Sequence, residues 1–326
     1  MKKVLKSEPK YRLTQAKEAV FKNLVKNWSE AVNLPAKIID ILNKECPLGI
    51  KGDVKEDGDV KKAIITLEDG LQIESVLMQH SGNRNTVCVS SQVGCPMGCK
   101  FCATGSMGLK RNLTTQEIVN QVLFFARILK ENGQRVSNIV FMGMGEPFLN
   151  YDNVLEAARV LNDKEGLDIG ARKISISTCG IIEGIEKLTK EDIQVNLAIS
   201  LHAPEDELRS KLMPVNKKYS LEEVLEAVDN YIKETSRQVM FEYLLLKDVN
   251  DTREHAQKLA KLLCKPLYFL NLIIYNPTEK EGMAPSPLKN VKEFKEVLEK
   301  ANIPFSQRYR FGGEIKAACG QLALSN

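Results

Sequence analysis

Cys95, Cys99 and Cys102 fall within eight residues, in the stretch CPMGCKFC. A Cys-x3-Cys-x2-Cys loop offers three thiolates to one metal centre, and no fourth cysteine lies nearby in the chain. Three ligands suit an iron–sulfur cube whose fourth iron is left open to a substrate. The competing reading is a structural zinc closed as Cys3His by His202. The spacing favours the cluster, because structural zinc knuckles usually pair two C-x2-C units and this stretch has one. Two other cysteines have suggestive neighbours. Cys319 stands among Gly312, Gly313, Ala317, Ala318 and Gly320, small residues that let a segment move and let reactants approach, and Cys88 lies within the β-rich run NTVCVSSQ. On residue type alone both read as small buried hydrophobes, as do Cys46, Cys179 and Cys264.

The elements that would hold these residues alternate. NTVCVSSQ, SNIVFMG, RKISIST, QVNLAISLH, QVMFEYLLL and LYFLNLIIYN are apolar, β-rich runs, each followed by a helical pattern. Runs this apolar belong to a parallel sheet covered by helices. Six such units predict a partial (β/α)6 TIM-like barrel, with a doubly wound sheet as the alternative. Thr114 with Glu117 and Ser220 with Glu223 mark two helix starts as capping boxes. The unusual polar residues fall just after strands: Cys95, then Gly145 and Glu146, then Ser177, His202 and Asn276. Parallel folds build active sites at those strand ends, so these residues are expected on one face.

Ahead of this repeat, apolar residues at helical spacing over 13–27 and 38–42 predict a small helical unit. KKAIITL and LQIESVLM around Asp69 and Gly70 predict a β-hairpin. The expected organisation is a helical accessory domain over 1–48, a hairpin extension over 49–83, and an α/β domain over 84–326. The chain has 326 residues, 43% hydrophobic and 27% charged, with 46 Lys and Arg against 42 Asp and Glu, a composition that excludes a disordered chain or a fibre. Residues 1–45 hold ten basic and five acidic residues, which suits either a phosphate-facing patch or a solvated helix face. No apolar run reaches the roughly 18 residues of a membrane span and no signal-type h-region follows the start, so a cytoplasmic location without membrane contact is expected. Eight cysteines are then not a disulfide framework.

The surroundings of the cysteine loop narrow the reading. VCVSSQVGCPMGCKFCATG, LKRNLTTQEIVNQV, NIVFMGMGEP, ISLHAP, LRSKLMP and AACGQL resemble, in order and over nearly the whole chain, the RlmN/Cfr family of radical S-adenosylmethionine RNA adenine methyltransferases. The resemblance implies a radical S-adenosylmethionine barrel with a [4Fe-4S] cluster on Cys95, Cys99 and Cys102. It also implies S-adenosylmethionine, two molecules per turnover, held by Gly145, Glu146, Ser177, Ser200, Leu201, His202 and Asn276. Glu146 has the chemistry to accept from an ammonium and Asn276 to donate and accept.

The chemistry expected of the family explains the two outlying cysteines. Adenine C2 and C8 are electrophilic amidine carbons, out of reach of polar methyl transfer from a sulfonium, so a radical route is required. By resemblance, Cys319 becomes S-methylcysteine and carries the methyl carbon to the base. Cys88 then resolves the resulting thioether by forming a transient disulfide with Cys319. Glu74, in QIESV, matches the family's proton acceptor; as a residue alternating on a strand it also reads as an exposed surface carboxylate. The basic front unit resembles an RNA-binding accessory domain, with Lys100, Lys110, Arg111, Arg308 and Arg310 as added phosphate contacts.

The implied reaction is methylation of adenosine C2 in 23S rRNA at the peptidyl transferase centre, with tRNA as a second substrate. The rival outcome is C8 methylation of the Cfr type, which gives antibiotic resistance. FEYLLLKDVNDT and MGEPFLNYDN lean to the RlmN branch and LIIYNPT to the Cfr branch. A flavodoxin- or ferredoxin-type electron donor and a monomeric state are also expected. The distant alternative is a zinc-stabilised RNA-binding protein without catalysis. Three features depart from the family pattern: Glu314 where Asp is usual, Cys179 where Ser or an aliphatic is usual, and a shorter front unit.

Overall fold

The computed structural model describes residues 1, 4–278, 282–308 and 312–323. Two helices, α1 (Lys10–Lys17) and α2 (Ala36–Glu45), open the chain. They enclose Trp28, fully buried, whose indole N–H donates to the Cys46 carbonyl at 2.7 Å. This front unit is held to the rest by Lys17, which pairs with Asp163 and Glu165 at 2.7 Å each, and by Arg127, which donates to the carbonyls of Val25 and Leu48.

An antiparallel meander follows: β1 (Lys51–Asp57), β2 (Val60–Thr66), β3 (Gln72–His80) and β4 (Arg84–Cys88). The hairpin expected over 61–78 is β2–β3. Strand β1 has no counterpart in the sequence reading because its residues, KGDVKED, carry no apolar alternation. It lies at the sheet edge, where charged side chains discourage pairing with another chain.

Strand β4 is also the first parallel strand. A two-stranded ribbon, β5 (Gln92–Cys95) and β6 (Gly108–Asn112), leads into α3 (Thr115–Glu131). The repeat then runs β7 (Asn138–Phe141), α4 (Tyr151–Asn162), β8 (Ile174–Thr178), α5 (Ile182–Thr189), β9 (Asn196–Ser200), α6 (Asp206–Leu212), α7 (Leu221–Thr235), β10 (Val239–Leu245), α8 (Arg253–Leu262), β11 (Tyr268–Ile274), α9 (Leu288–Lys300) and β12 (Phe305–Gln307). All six predicted strand runs are strands, and β12 adds a seventh parallel strand. Both capping boxes form, at Thr114 and Ser220. In α3 the buried residues Ile118, Val122, Phe125 and Leu129 recur at helical spacing and pack on the sheet; burying each such side chain contributes about 1.5–3 kcal/mol relative to exposure.

The sheet has ten strands in the order β1-β2-β3-β4-β7-β8-β9-β10-β11-β12, parallel from β4 onward. Among the described residues β12 does not pair with β4, so the barrel is open, as a partial barrel should be. No helix is long and apolar enough to cross a membrane among the described residues.

Candidate active site

The C-terminal ends of the parallel strands surround a cavity of about 140 Å³. Its wall on the first side is the cysteine loop between β5 and β6. That ribbon closes tightly because Gly94 adopts a φ of +76°; a Cβ there would stand 1.9 Å from the Gly108 carbonyl oxygen, so only glycine lets the two strands cross. Cys95, Cys99 and Cys102 all face the cavity. Burial pushes the thiol of Cys95 up to about 12 and that of Cys102 upward, so a metal would be needed to hold them as thiolates.

The sequence left Cys46, Cys179 and Cys264 as core thiols, and the structure separates them. Cys46 is buried. Cys264 is exposed, its thiol donating to the Lys261 carbonyl. Cys179 lines the cavity with its sulfur 4.0 Å from that of Cys99, and that contact, with burial, raises its thiol.

Gly145 and Glu146 follow β7. Gly145 has a φ of +102°, and a Cβ on it would meet the Gln92 side chain at 2.6 Å, so its glycine is required by packing within the protein. Glu146 is buried, and both its carboxylate oxygens accept backbone amides, from Phe148 at 3.0 Å and Cys179 at 2.8 Å. Burial raises its carboxyl above the ordinary range. Ser177 and Ser200 line the cavity with their hydroxyls 3.4 Å apart. Leu201 is buried in the core and does not line the cavity; its amide donates to the Glu242 carbonyl. Arg209, fully buried, donates to the carbonyls of Cys179, Ser200 and Leu201 and to Asn216, clamping the ends of β8 and β9 together.

His202 decides between the two metals. It is 6% exposed and sits at φ +56°, and its Nδ1 accepts the Leu244 amide at 3.1 Å. That bond puts the ring proton on Nε2, which leaves neither nitrogen with a free lone pair for zinc. Burial, with the charge of Arg209, lowers its pKa to about 3, so the ring stays neutral. No three His, Cys, Asp or Glu side chains among the described residues close on a single ion. The mononuclear Cys3His zinc reading therefore fails on donor chemistry. The thiol-only set fits an iron–sulfur cluster, whose ligands are spread around a larger object.

Asn276 is buried and ties the opposite wall: its Nδ2 donates to the Cys319 carbonyl at 3.4 Å, while its Oδ1 has no partner. Cys319 lines the cavity and is an exposed residue. Desolvation, then the charge of Glu242, pushes its thiol up to about 11. Cys88, buried at the end of β4, is pushed up to about 12 by burial, with Cys319 the next contributor. Two cysteines 231 positions apart in the numbering thus come within electrostatic range of each other.

Glu74 corrects the surface-carboxylate reading. It is 0% exposed, pairs with Lys62 at 2.9 Å, and accepts the Ala323 amide at 2.8 Å. The expected phosphate contacts divide as well. Lys100 and Lys110 are exposed. Arg111 is engaged by Asp69 and Glu117 at 2.6 and 2.8 Å, and Arg308 by Glu242 at 3.1 Å. Arg310 lies outside the described residues.

The sequence reading passed over a polar row that runs across the sheet from the cavity, which Ser200 and Glu242 line. Strand register sets Ser200, Glu242, Asn271 and Ser306 side by side on β9, β10, β11 and β12. Asn271 donates to Glu242 Oε1 at 2.9 Å, and Ser306 donates to Asn271 at 2.8 Å. A charged or amide residue inside an apolar strand run, as in MFEYLLL and YFLNLII, was the available signal.

Comparison with known proteins identifies the assembly. The Radical SAM superfamily model matches residues 89–263. A probable dual-specificity RNA methyltransferase RlmN from Dictyoglomus thermophilum is 48% identical, covering 97% of this chain and 91% of the relative. The ribosomal RNA large subunit methyltransferase N of Nitrosopumilus maritimus is 47% identical over 82% of this chain and 78% of its own. The chain belongs to the RlmN family. A crystal structure of a radical SAM methyltransferase from Sphaerobacter thermophilus superposes with a TM-score of 0.94 at 42% identity, covering 98% of this chain and 95% of that one. The protein is a radical S-adenosylmethionine RNA methyltransferase, and its family works with a [4Fe-4S] cluster and S-adenosylmethionine.

Proposed function

We propose that this RlmN-family enzyme methylates C2 of an adenosine in 23S rRNA at the peptidyl transferase centre, and of an adenosine in tRNA, through a methyl group carried on Cys319. The observation that carries the reading is that Cys319 and the three motif cysteines line one cavity, with Cys88, buried behind it, within electrostatic range of Cys319. The cluster and two molecules of S-adenosylmethionine, when bound, supply a methyl group and a hydrogen-abstracting 5′-deoxyadenosyl radical. Cys95, Cys99 and Cys102 hold the cluster, and Gly145, Glu146, Ser177, Ser200, Leu201, His202 and Asn276 surround the nucleoside and amino acid ends of the cosubstrate.

The residues of the chain then have distinct tasks. Cys319 accepts the methyl group and, after hydrogen loss from it, joins its carbon to the adenine as a thioether. Glu74 accepts the ring proton; since its carboxylate is committed to Lys62 and Ala323, it must first part from Ala323. Cys88 attacks the Cys319 sulfur and frees the methylated base, leaving a Cys88–Cys319 disulfide for cellular reductant to reopen. The front unit over 1–48 and the exposed Lys100 and Lys110 engage RNA phosphates, and the hairpin extension over 49–83 carries Glu74 to the domain over 84–326. We further take the enzyme to be a cytoplasmic monomer reduced by a flavodoxin- or ferredoxin-type donor.

The test is mass spectrometry of a Cys88→Ala variant produced in iron-replete cells. Without the resolving thiol, Cys319 should carry covalently bound RNA; nuclease digestion names the RNA and NMR of the adducted base distinguishes C2 from C8. An unmodified Cys319 in a variant with a full cluster would sink the methyl-cysteine route.

A further inference from the structure

Methyl transfer to a thiol requires that its proton leave, and the resting site does not favour that. Cys319 is pushed up to about 11, so it is protonated at neutral pH. The charged and titratable groups that face it are Glu242 from β10, Arg308 beyond β12, Cys102 from the cluster loop and Cys88 from β4. Arg308 is already protonated and cannot take up another proton, Cys102 is one of the three cysteines assigned to the cluster, and the thiol of Cys88 is itself raised by burial.

Glu242 differs from all of these. It is buried and lines the same cavity as Cys319. Its Oε1 is held by Asn271 at 2.9 Å and Arg308 at 3.1 Å, which fixes the plane of the carboxylate. Its Oε2 is buried and has no hydrogen-bond partner. A buried carboxylate oxygen without a donor is costly, and this one belongs to a group whose other oxygen is held by Asn271 and Arg308.

We propose that Glu242 is a catalytic residue, the general base that takes the Cys319 thiol proton as the methyl group arrives. In that step the Cys319 sulfur–methyl bond forms and the methyl–sulfonium bond breaks with its electron pair going to the departing sulfur. The thiol proton passes to Glu242 Oε2, so charge and atoms balance without an added oxidant or reductant. The inference rests on the methyl-cysteine reading above and adds the group that initiates it.

The test uses cluster-loaded full-length protein, produced so that Cys319 begins unmethylated and kept anaerobic without an electron donor, so that only methyl loading proceeds. Peptide mass spectrometry follows the methyl on Cys319 at saturating S-adenosylmethionine. In parallel, iodoacetamide labelling of the same peptide reports how readily the thiol ionises. Glu242→Gln should slow methyl loading about 100-fold, the lower end for general-base catalysis. It should also raise iodoacetamide labelling, since removing the carboxylate charge makes the thiolate easier to form. Glu242→Asp should recover part of the loading.

Those opposite signs are the signature of a base. Unchanged loading in Glu242→Gln would overturn the proposal. So would a parallel fall of loading and labelling, which would mean that Glu242 only shapes the Cys319 segment. A loss abolished by raising S-adenosylmethionine would overturn it too, by making Glu242 a cosubstrate contact. If wild-type Cys319 takes up no methyl at all, the methyl-cysteine reading itself falls, and the proposal with it.

Discussion

Replacing Lys62 with methionine should destabilise the protein far more than a lysine substitution usually does. Lys62 is 2% exposed and Glu74 is 0% exposed, with Nζ 2.9 Å from Oε1. Lys62 also donates to the Lys316 carbonyl at 3.3 Å, and the second oxygen of Glu74 accepts the Ala323 amide. Methionine keeps the length of the side chain and removes the charge, leaving the carboxylate in a dry site with one amide donor. Removing one partner of such a pair costs about 3–5 kcal/mol, and loss of the bond to Lys316 adds about 1 kcal/mol. Against a typical total stability of about 5–15 kcal/mol, the sum is a large fraction.

A double-mutant cycle measures this directly. Urea unfolding of wild type, Lys62→Met, Glu74→Gln and the double variant should show Lys62→Met losing about 4 kcal/mol. The double variant should recover at least half of that, because glutamine keeps an acceptor for Ala323 without a charge. Limited proteolysis should find the segment around Cys319 cut faster in Lys62→Met, since Lys316 and Ala323 flank it. A loss under about 1 kcal/mol, the range of a solvated ion pair, or a double variant no more stable than Lys62→Met, would refute the argument. Either result would mean that water reaches the carboxylate and that the pair does not anchor the segment.

Two further predictions follow from the strand ends. Arg209→Met removes the donor shared by the Cys179, Ser200 and Leu201 carbonyls and Asn216; it should cost about 2–4 kcal/mol in urea unfolding and weaken S-adenosylmethionine binding in calorimetry, and wild-type affinity in the variant would refute the clamp. His202 titrates near 3 when folded against about 6.5 when unfolded. Between those values the unfolded chain binds a proton that the native state does not, so stability is complete above pH 6.5 and falls as pH drops. The slope is about 1.4 kcal/mol per unit; between pH 6.5 and 5, His202→Gln should lose about 2 kcal/mol less than wild type, and identical losses would refute the assignment.

The parallel strands were legible because each carries an apolar run covered on both faces, as in β10, where every residue but Met240 is buried. The cysteine loop was legible because its spacing is itself chemistry. Glu242 and Asn271 escaped notice because their roles depend on register between strands, and register is set by the neighbours across the sheet. Glu74 was misjudged on its face for a similar reason. Strand alternation says that it opposes Ile73 but not which faces are covered, and both are: Ile73 and Glu74 are equally buried.

The Cys319 segment shows why its role could be matched to a family motif while its conformation could not be derived locally. Over 312–323 no described residue lies in a helix or strand, so contacts from distant parts of the chain decide its path. Val60 packs against Gly312, and Lys62 and Glu74 hold Lys316 and Ala323 from the hairpin. The cysteine loop holds it through Ala103 on the Gly320 carbonyl and Thr104 on that of Leu322. Beyond β11, Asn276 reaches the Cys319 carbonyl, and Gln321 donates to Pro277 at 2.7 Å. Each bond contributes only about 0.5–1.5 kcal/mol net, which is less than the entropy of ordering the residues beside it. No single anchor can therefore hold the segment, and it is ordered only when the hairpin, the cysteine loop and the residues after β11 act together. The three regions that bring Cys319 to the cavity are the ones that carry Glu74, the motif cysteines and Asn276, so the position of the Cys319 thiol is tied to the packing of all three.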